Sequence, residues 1–233
     1  MRHPLPWSYP LIMAASLAVG AVLGRREQRN LGLTRFQKAA LSFGAFCGAM
    51  IGAKLVFLLV DPRASRDFLA LFGGGKTILG GILGGYFGVE LAKWTLELKL
   101  KTGDSYVVPV AASVAVGRLG CFVGGCCFGV PTTLPWGVNF GDGVPRHPTQ
   151  LYEAAFHAGM ALLLSKFRAE GRYPRQLMKI YILSYLVYRF LTEFIRPEPR
   201  MLDGLTGYQL LALAMIPLFV YLWKRDVPEP AYG

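Results

Sequence analysis

Arg118 sits near the end of an apolar run, in the stretch Gly117-Arg118-Leu119-Gly120-Cys121-Phe122-Val123-Gly124-Gly125-Cys126-Cys127-Phe128-Gly129. An arginine inside a lipid-like segment costs roughly 2.5–3.5 kcal/mol on insertion scales, so its presence points to a ligand or a partner charge. A guanidinium stays charged when dehydrated and can pair two oxygens of a phosphate or carboxylate at once. Arg189 repeats the pattern in a later apolar run, with Glu193 four residues on, and Glu153 is a third charge set into greasy sequence. Groups of these types suit the handling of an anionic headgroup away from water.

A second polar cluster is contiguous. The loop from Pro131 to Pro148 holds Trp136, Asn139, Asp142, Arg146 and His147, and it leads directly into Thr149-Gln150-Leu151-Tyr152-Glu153. Histidine is the side chain whose ordinary pKa best suits proton transfer near neutrality. With Arg146, Gln150 and Glu153 as neighbours, His147 is a candidate proton acceptor; an interfacial histidine with no task is the alternative.

The elements that carry these residues must lie in a membrane. Of 233 residues 53% are hydrophobic and 17% charged, and the mean hydropathy is +0.39, well beyond a typical soluble domain. The net charge of +11 raises nucleic acid as a partner, but the basic residues fall between apolar runs and no nucleic-acid motif accompanies them. No nucleic-acid partner is expected.

Apolar runs long enough to cross ~30 Å of hydrocarbon fall at 9–24, 39–60, 77–96, 105–124, 148–166, 177–195 and 205–224. Inside lipid only a helix satisfies its own backbone, so each run predicts a helix. The first lacks a convincing cleavage site after it, which makes it a retained span rather than a signal peptide. The expected fold class is an all-α integral membrane protein of about seven transmembrane helices, residues 1–233 forming one transmembrane domain.

Orientation follows from the basic residues. One alternating set of segments holds Arg25, Arg26, Arg29, Arg35, Lys38, Lys93, Lys99, Lys101, Lys166, Arg168, Arg172, Arg175, Lys179, Lys224 and Arg225; the other holds Arg2, Arg63, Arg66, Lys76, Arg146, Arg196 and Arg200. Fifteen against seven places the first set in the cytoplasm, the N-terminus outside and the C-terminus inside. On that topology Lys54, Arg118, Arg189, Glu193 and Glu153 all fall in the outer half of the bilayer, joined by Tyr9 and Gln209, which predicts a polar cavity open to the outer leaflet. Mutual neutralisation, as between Arg189 and Glu193 at helical spacing, is the competing reading.

Two further features stand out. Glycines crowd the third run, at Gly73, Gly74, Gly75, Gly80, Gly81, Gly84, Gly85 and Gly88; such spacing lets helix backbones approach closely, and a headgroup against bare backbone is the second reading. Cys121, Cys126 and Cys127 cluster without accompanying histidines, a poor pattern for zinc, and Cys121 and Cys126 are too far apart for a C-x-x-C redox pair. Small packing residues, a disulfide, or a thiol that carries a lipid transiently are the alternatives, in that order, and no metal is expected.

The chain resembles the bacterial prolipoprotein diacylglyceryl transferase family. The resemblance rests on Ser8-Tyr9, Gly52-Ala53-Lys54-Leu55, Gly80-Gly81, Gly117-Arg118 through Gly129, Arg146 through Glu153, Arg189-Phe190-Leu191-Thr192-Glu193-Phe194-Ile195-Arg196 and Gly207-Tyr208-Gln209, in the family's order across almost the whole chain. It implies a multi-pass enzyme of the bacterial inner membrane with its active site facing the outer leaflet and periplasm. Such enzymes move the diacylglyceryl group of phosphatidylglycerol onto the lipobox cysteine in the signal peptide of a prolipoprotein, releasing glycerol phosphate and using no cofactor. The family's phosphate-handling arginines fall on Arg118 and Arg189, and its N-terminal tyrosine on Tyr9. The departures are Cys121 and Gly124 where the family has asparagines, Cys126 where it has glutamate, and Leu79 where it has histidine.

Making a nucleophile from a thiol of pKa about 8.5 is helped by a base or a positive field. His147 is the expected base, with Glu153 second or orienting it. Arg146, Gln150, Tyr152, Glu193, Arg196 and Gln209 are expected to shape the headgroup site. A phospholipid-dependent transferase with a different acceptor is the alternative function, followed by a membrane thiol oxidoreductase or a lipid-binding protein without catalysis.

Overall fold

Each apolar run of the sequence coincides with a helix in the computed structural model, which describes residues 7–29, 31–60 and 75–226. The helices are α1 (Ser8–Gln28), α2 (Arg35–Val60), α3 (Ile78–Thr95), α4 (Gly103–Val123), α5 (Thr149–Ala169), α6 (Leu177–Thr192) and α7 (Gly207–Arg225). A 3-10 turn, Glu193–Ile195, continues α6. Two short antiparallel hairpins complete the described residues: β1 (Val138–Asn139) with β2 (Pro145–Arg146), and β3 (Arg200–Leu202) with β4 (Leu205–Thr206). Arg2, Arg63, Arg66, Gly73 and Gly74 lie outside the described residues.

Four of the helices, α1, α2, α4 and α7, are long and apolar enough to cross a membrane. Their outer faces agree. Leu17 on α1, Phe43 on α2 and Leu162 on α5 are 73%, 69% and 75% exposed, with Leu11, Ile51, Leu59, Leu191 and Tyr221 similarly bare. A soluble protein rarely leaves so many large apolar side chains uncovered; lipid covers them at no cost. The chain is a mostly helical membrane protein.

The residues group into two compact units interleaved in sequence. The first comprises residues 1–29, 104–177 and 191–198, the second 30–103, 178–190 and 199–233.

In the first unit α1 lies against α4 through small residues. Ser16 Oγ donates to Ser113 O at 2.9 Å and Ser113 Oγ donates to Ser16 O at 2.8 Å, so each hydroxyl caps the other helix's carbonyl where water is absent. Gly117 and Gly120 complete the seam: a Cβ on either would lie 3.3 Å from Ser16 Oγ or from Ile12 and Met13. Part of the glycine content around Arg118 is therefore explained by helix packing. At the far end Asp104 carboxylate oxygens accept from the backbone N–H groups of Arg175 and Leu177, at 2.6 and 3.0 Å, and Arg168 pairs with Glu27.

In the second unit α2 and α3 meet backbone to backbone. Gly80, Gly84 and Gly88 face Gly52, Gly48 and Gly44; a Cβ on Gly44 would lie 2.7 Å from Gly88 O, and one on Gly84 would lie 2.8 Å from Gly52 Cα. The glycine stripe of α3 is thus filled by a matching stripe of α2, the close-packing arrangement small residues permit in membranes. Thr77 starts α3: its hydroxyl accepts from Gly80 N at 3.1 Å and donates to Ala53 O at 3.4 Å. At the other end of the unit Asp226 accepts from Lys101 and Lys179 at 2.8 and 2.7 Å.

Candidate active site

The buried charges of the first unit converge on one carboxylate. Glu153, on the first turns of α5, takes Arg118 Nη2 at 2.9 Å from α4 and Arg196 Nη2 at 2.8 Å from the segment after the 3-10 turn, both on Oε2. Its other oxygen, Oε1, faces His157 Nε2 at 3.9 Å, one helical turn along. Glu153 is 1% exposed and Arg118 4%, so these charges sit where water cannot screen them. Two guanidinium groups meet on this one carboxylate, and a second fully buried carboxylate, Glu193, lies three residues before Arg196.

Local backbone geometry builds this convergence. Gly129 is a crossing point: a Cβ there would lie 2.8 Å from His147 Cβ and 2.9 Å from Thr149 Cγ2, with Ile195 O as close again. Only glycine lets the three strands of chain touch. Val130 N donates to Ile195 O at 2.9 Å, and Gly129 N to His147 O at 2.8 Å. These bonds hold the segment bearing Arg196 beside the start of α5. Asn139 Oδ1 accepts from Gly141 N and Gly143 N at 2.8 and 3.1 Å, which turns the β1–β2 hairpin and returns the chain to His147.

His147 lies half-buried at the entrance to α5, its Nδ1 3.3 Å from the Tyr152 hydroxyl. That hydroxyl also accepts from Trp136 Nε1 at 2.8 Å. Glu153 is thus provided with His157 rather than with His147. His157 is not among the residues expected from sequence; its place four residues after Glu153 on one helix face is the signal that marks it.

Gln150 is fully buried. Its Nε2 donates to Cys126 O, and Thr149 Oγ1 donates to Cys127 O at 2.7 Å. Arg146 is less central: its Nε bonds Asp142 Oδ2 at 2.7 Å and its guanidinium lies 5.2 Å from the Phe128 ring centroid. The Arg146 hydrogen bond, then the Val144 N–H, hold the Asp142 carboxyl below the usual carboxylate range. Tyr9, on α1, is 42% exposed with its ring beside Gly124, where an added Cβ would meet it at 2.9 Å. Glu193 is fully buried on the 3-10 turn.

The remaining predicted residues belong to the second unit. Arg189 is buried on α6, its guanidinium 4.4 Å from the Tyr208 ring centroid, a cation–π distance. Gln209 caps α7: its Oε1 accepts from Thr206 N at 3.0 Å while the Thr206 hydroxyl accepts from Gln209 N at 3.3 Å, a reciprocal capping box. Its Nε2 donates to Phe190 O at 3.2 Å, so its polar atoms hold helix ends together. Lys54, expected among the outer charges, lies 5.4 Å from the Phe57 ring centroid.

The three thiols come together. Cys121, Cys126 and Cys127 have all their sulfurs within 4.8 Å of one another, and Cys126 and Cys127 are exposed. Exposed thiols on a loop do not fill a core.

Ionisable groups buried in a helical membrane protein, as Arg118, Glu153 and Arg196 are, mark a functional site. The chain belongs to the prolipoprotein diacylglyceryl transferase family, whose model matches residues 4–225. Its relatives include the phosphatidylglycerol--prolipoprotein diacylglyceryl transferase of Clostridium tetani, 28% identical over 94% of this chain and 93% of that one. The enzyme of the same name from Solidesulfovibrio magneticus is 32% identical over 95% and 90%. That of Clostridium perfringens named transferase 2 is 31% identical over 85% and 82%.

Proposed function

We propose that this chain transfers the diacylglyceryl group of phosphatidylglycerol to the lipobox cysteine of a prolipoprotein signal peptide. A carbon–sulfur bond forms at the glyceryl carbon, the carbon–oxygen bond to phosphate breaks, the thiol proton passes to a base, and glycerol phosphate leaves. The chain works as one transmembrane domain of the bacterial inner membrane, crossing it seven times with the N-terminus outside, and the chemistry faces the outer leaflet.

The observation that carries the reading is the pairing of Arg118 and Arg196 on the single carboxylate of Glu153. Charge develops on the departing phosphate, and fixed donors in a dry site stabilise such charge far more than water does. Glu153 Oε2 draws the two guanidinium groups together at one point, where they meet the phosphate of the substrate. Arg189 matches the family's second phosphate-handling arginine and is buried in the second unit. With Glu153 Oε2 taken by both arginines, the base is His147, half-buried beside Tyr152. Gln150, Glu193, Arg146 and Tyr9 shape the headgroup and acyl surroundings.

A second reading, a transferase that uses the same donor and a different acceptor, is favoured by one specific observation. Cys121, Gly124 and Cys126 stand where the family has amides and a carboxylate, and Leu79, 1% exposed, stands where it has histidine. Complementation of a strain depleted of its own transferase, with thioether formation on a lipobox precursor followed by mass spectrometry, separates the two. Rescue with diacylglyceryl-modified precursor supports the first. Donor consumption without precursor modification supports the second, and neither event in well-expressed protein refutes both.

A further inference from the structure

The sulfurs of Cys121, Cys126 and Cys127 have no place in the transfer chemistry, yet the chain is folded so as to bring them together. Cys121 is on the last turns of α4, and the other two are on the loop leaving it. Gly125 and Cys127 both have left-handed backbone, φ +64° and +62°, which turns the loop back over the helix end. A cysteine rarely adopts that conformation unless its surroundings hold it there. Here Gln150 and Thr149 grip the carbonyls of Cys126 and Cys127, and Cys126 N bonds Cys121 O at 3.1 Å.

The resulting spacing suits a cation. One about 2.3 Å from each of three sulfurs in a plane would hold them about 4.0 Å apart. Cys126 and Cys127 sulfurs are 3.7 Å apart, and all three lie within 4.8 Å of one another. Among the described residues no histidine, aspartate or glutamate joins the group, so the donor set is all sulfur and three-fold. Soft thiolate donors select soft ions, copper(I) foremost where a tetrahedral zinc set is incomplete. Three thiolates around one monovalent ion carry excess negative charge, and the buried Arg118 guanidinium, which reaches Cys127, is placed to offset it. The exposure of Cys126 and Cys127 gives an ion a way in.

We propose that Cys121, Cys126 and Cys127 form a three-coordinate thiolate site for copper(I) at the outer end of α4. The site shares Arg118 with the transfer reading, but its test reads binding rather than catalysis. Reduced full-length protein in detergent is titrated anaerobically with copper(I) against bicinchoninate as competing chelator, and thiols are counted by alkylation before and after. The expected result is one copper(I) per chain, three thiols shielded, and Cys47 still open to alkylation. Cys126→Ser and Cys127→Ser, both on the exposed loop, should each weaken binding beyond the roughly 10–100-fold that changes outside the coordinating atoms cost. Cys47→Ser should leave it unchanged. Absence of uptake, thiols that remain open in the presence of copper(I), conversion of the cluster to a disulfide without retained metal, or an affinity in both loop variants equal to that of the unsubstituted chain would each overturn the site. Shielding in the unsubstituted chain needs no variant to fold.

Discussion

The interior of the α2–α3 pair and the interior around Glu153 are both buried and both packed to contact, by opposite means. Between α2 and α3 backbone lies on backbone along the glycine stripes, with small or apolar side chains such as Ala92 and Val56 closing the seam. Around Glu153 long charged side chains from α4, α5 and the segment after α6 meet at a point. The first arrangement tolerates no added atom but carries no chemistry; the second stores charge that lipid would otherwise reject. Glycine there and arginine here are alike in being costly anywhere else: glycine for its lost backbone entropy, arginine for its desolvation.

Breaking the charged region should have the largest effect. Glu153→Ala leaves two guanidinium groups buried without their shared counter-ion and should cost about 3–5 kcal/mol of stability, read as a lowered Tm in detergent; Glu153→Gln, which keeps the shape, should still lose most of it. Breaking the glycine seam should cost less. Gly84→Val puts methyl groups against Gly48 O and Gly52 Cα and should cost about 1–3 kcal/mol, the range for overpacking. Transfer activity per folded molecule should change little there, which is the contrast between the regions in its sharpest form.

Much of this contrast is legible in the residues themselves. Hydropathy alone places the helices, because a run that must satisfy its own backbone has no other choice; run 39–60 against Arg35–Val60 and run 77–96 against Ile78–Thr95 differ only at their ends. The close packing of Gly80, Gly84 and Gly88 is equally readable from spacing. Its partner stripe, Gly44, Gly48 and Gly52, is not, since spacing says nothing of which helix answers. Arg118 and Glu153 announce themselves as charges in apolar sequence. Their direct bond does not, because it depends on Gly129 allowing chain crossings that no local pattern encodes. His157 is hidden for the same reason: it looks like one polar residue in a long helix until Glu153 is seen to face it. Gln209 shows the reverse case, a polar residue in a site motif whose atoms the Thr206 capping box takes up. The thiol cluster depends on two left-handed residues, which composition cannot reveal.

Smaller effects sharpen the comparison at its edges. Thr206→Ala removes the cap of α7 and should cost about 1 kcal/mol, seen as a modest shift in Tm with the Glu153 cluster untouched. Asp142 gives the smallest. Its folded carboxyl titrates below the unfolded one, so its bond to Arg146 contributes above the ordinary carboxylate range and is lost only as pH falls through the lower, folded value. Between neutral and mildly acid pH the β1–β2 hairpin should therefore hold, and exchange of its amides should quicken only in stronger acid. Asp142→Asn should abolish that acid dependence.

The central claim is that the arginines on Glu153 hold the phosphate of an anionic phospholipid during transfer, and the rate of thioether formation on a lipobox peptide tests it most directly. In vesicles containing phosphatidylglycerol, Arg118→Ala should lose about 10²–10³ in kcat, the effect of removing one fixed donor to developing charge, while its circular dichroism stays that of the unsubstituted chain. A folded Arg118→Ala protein that forms product at the unsubstituted rate would contradict the account.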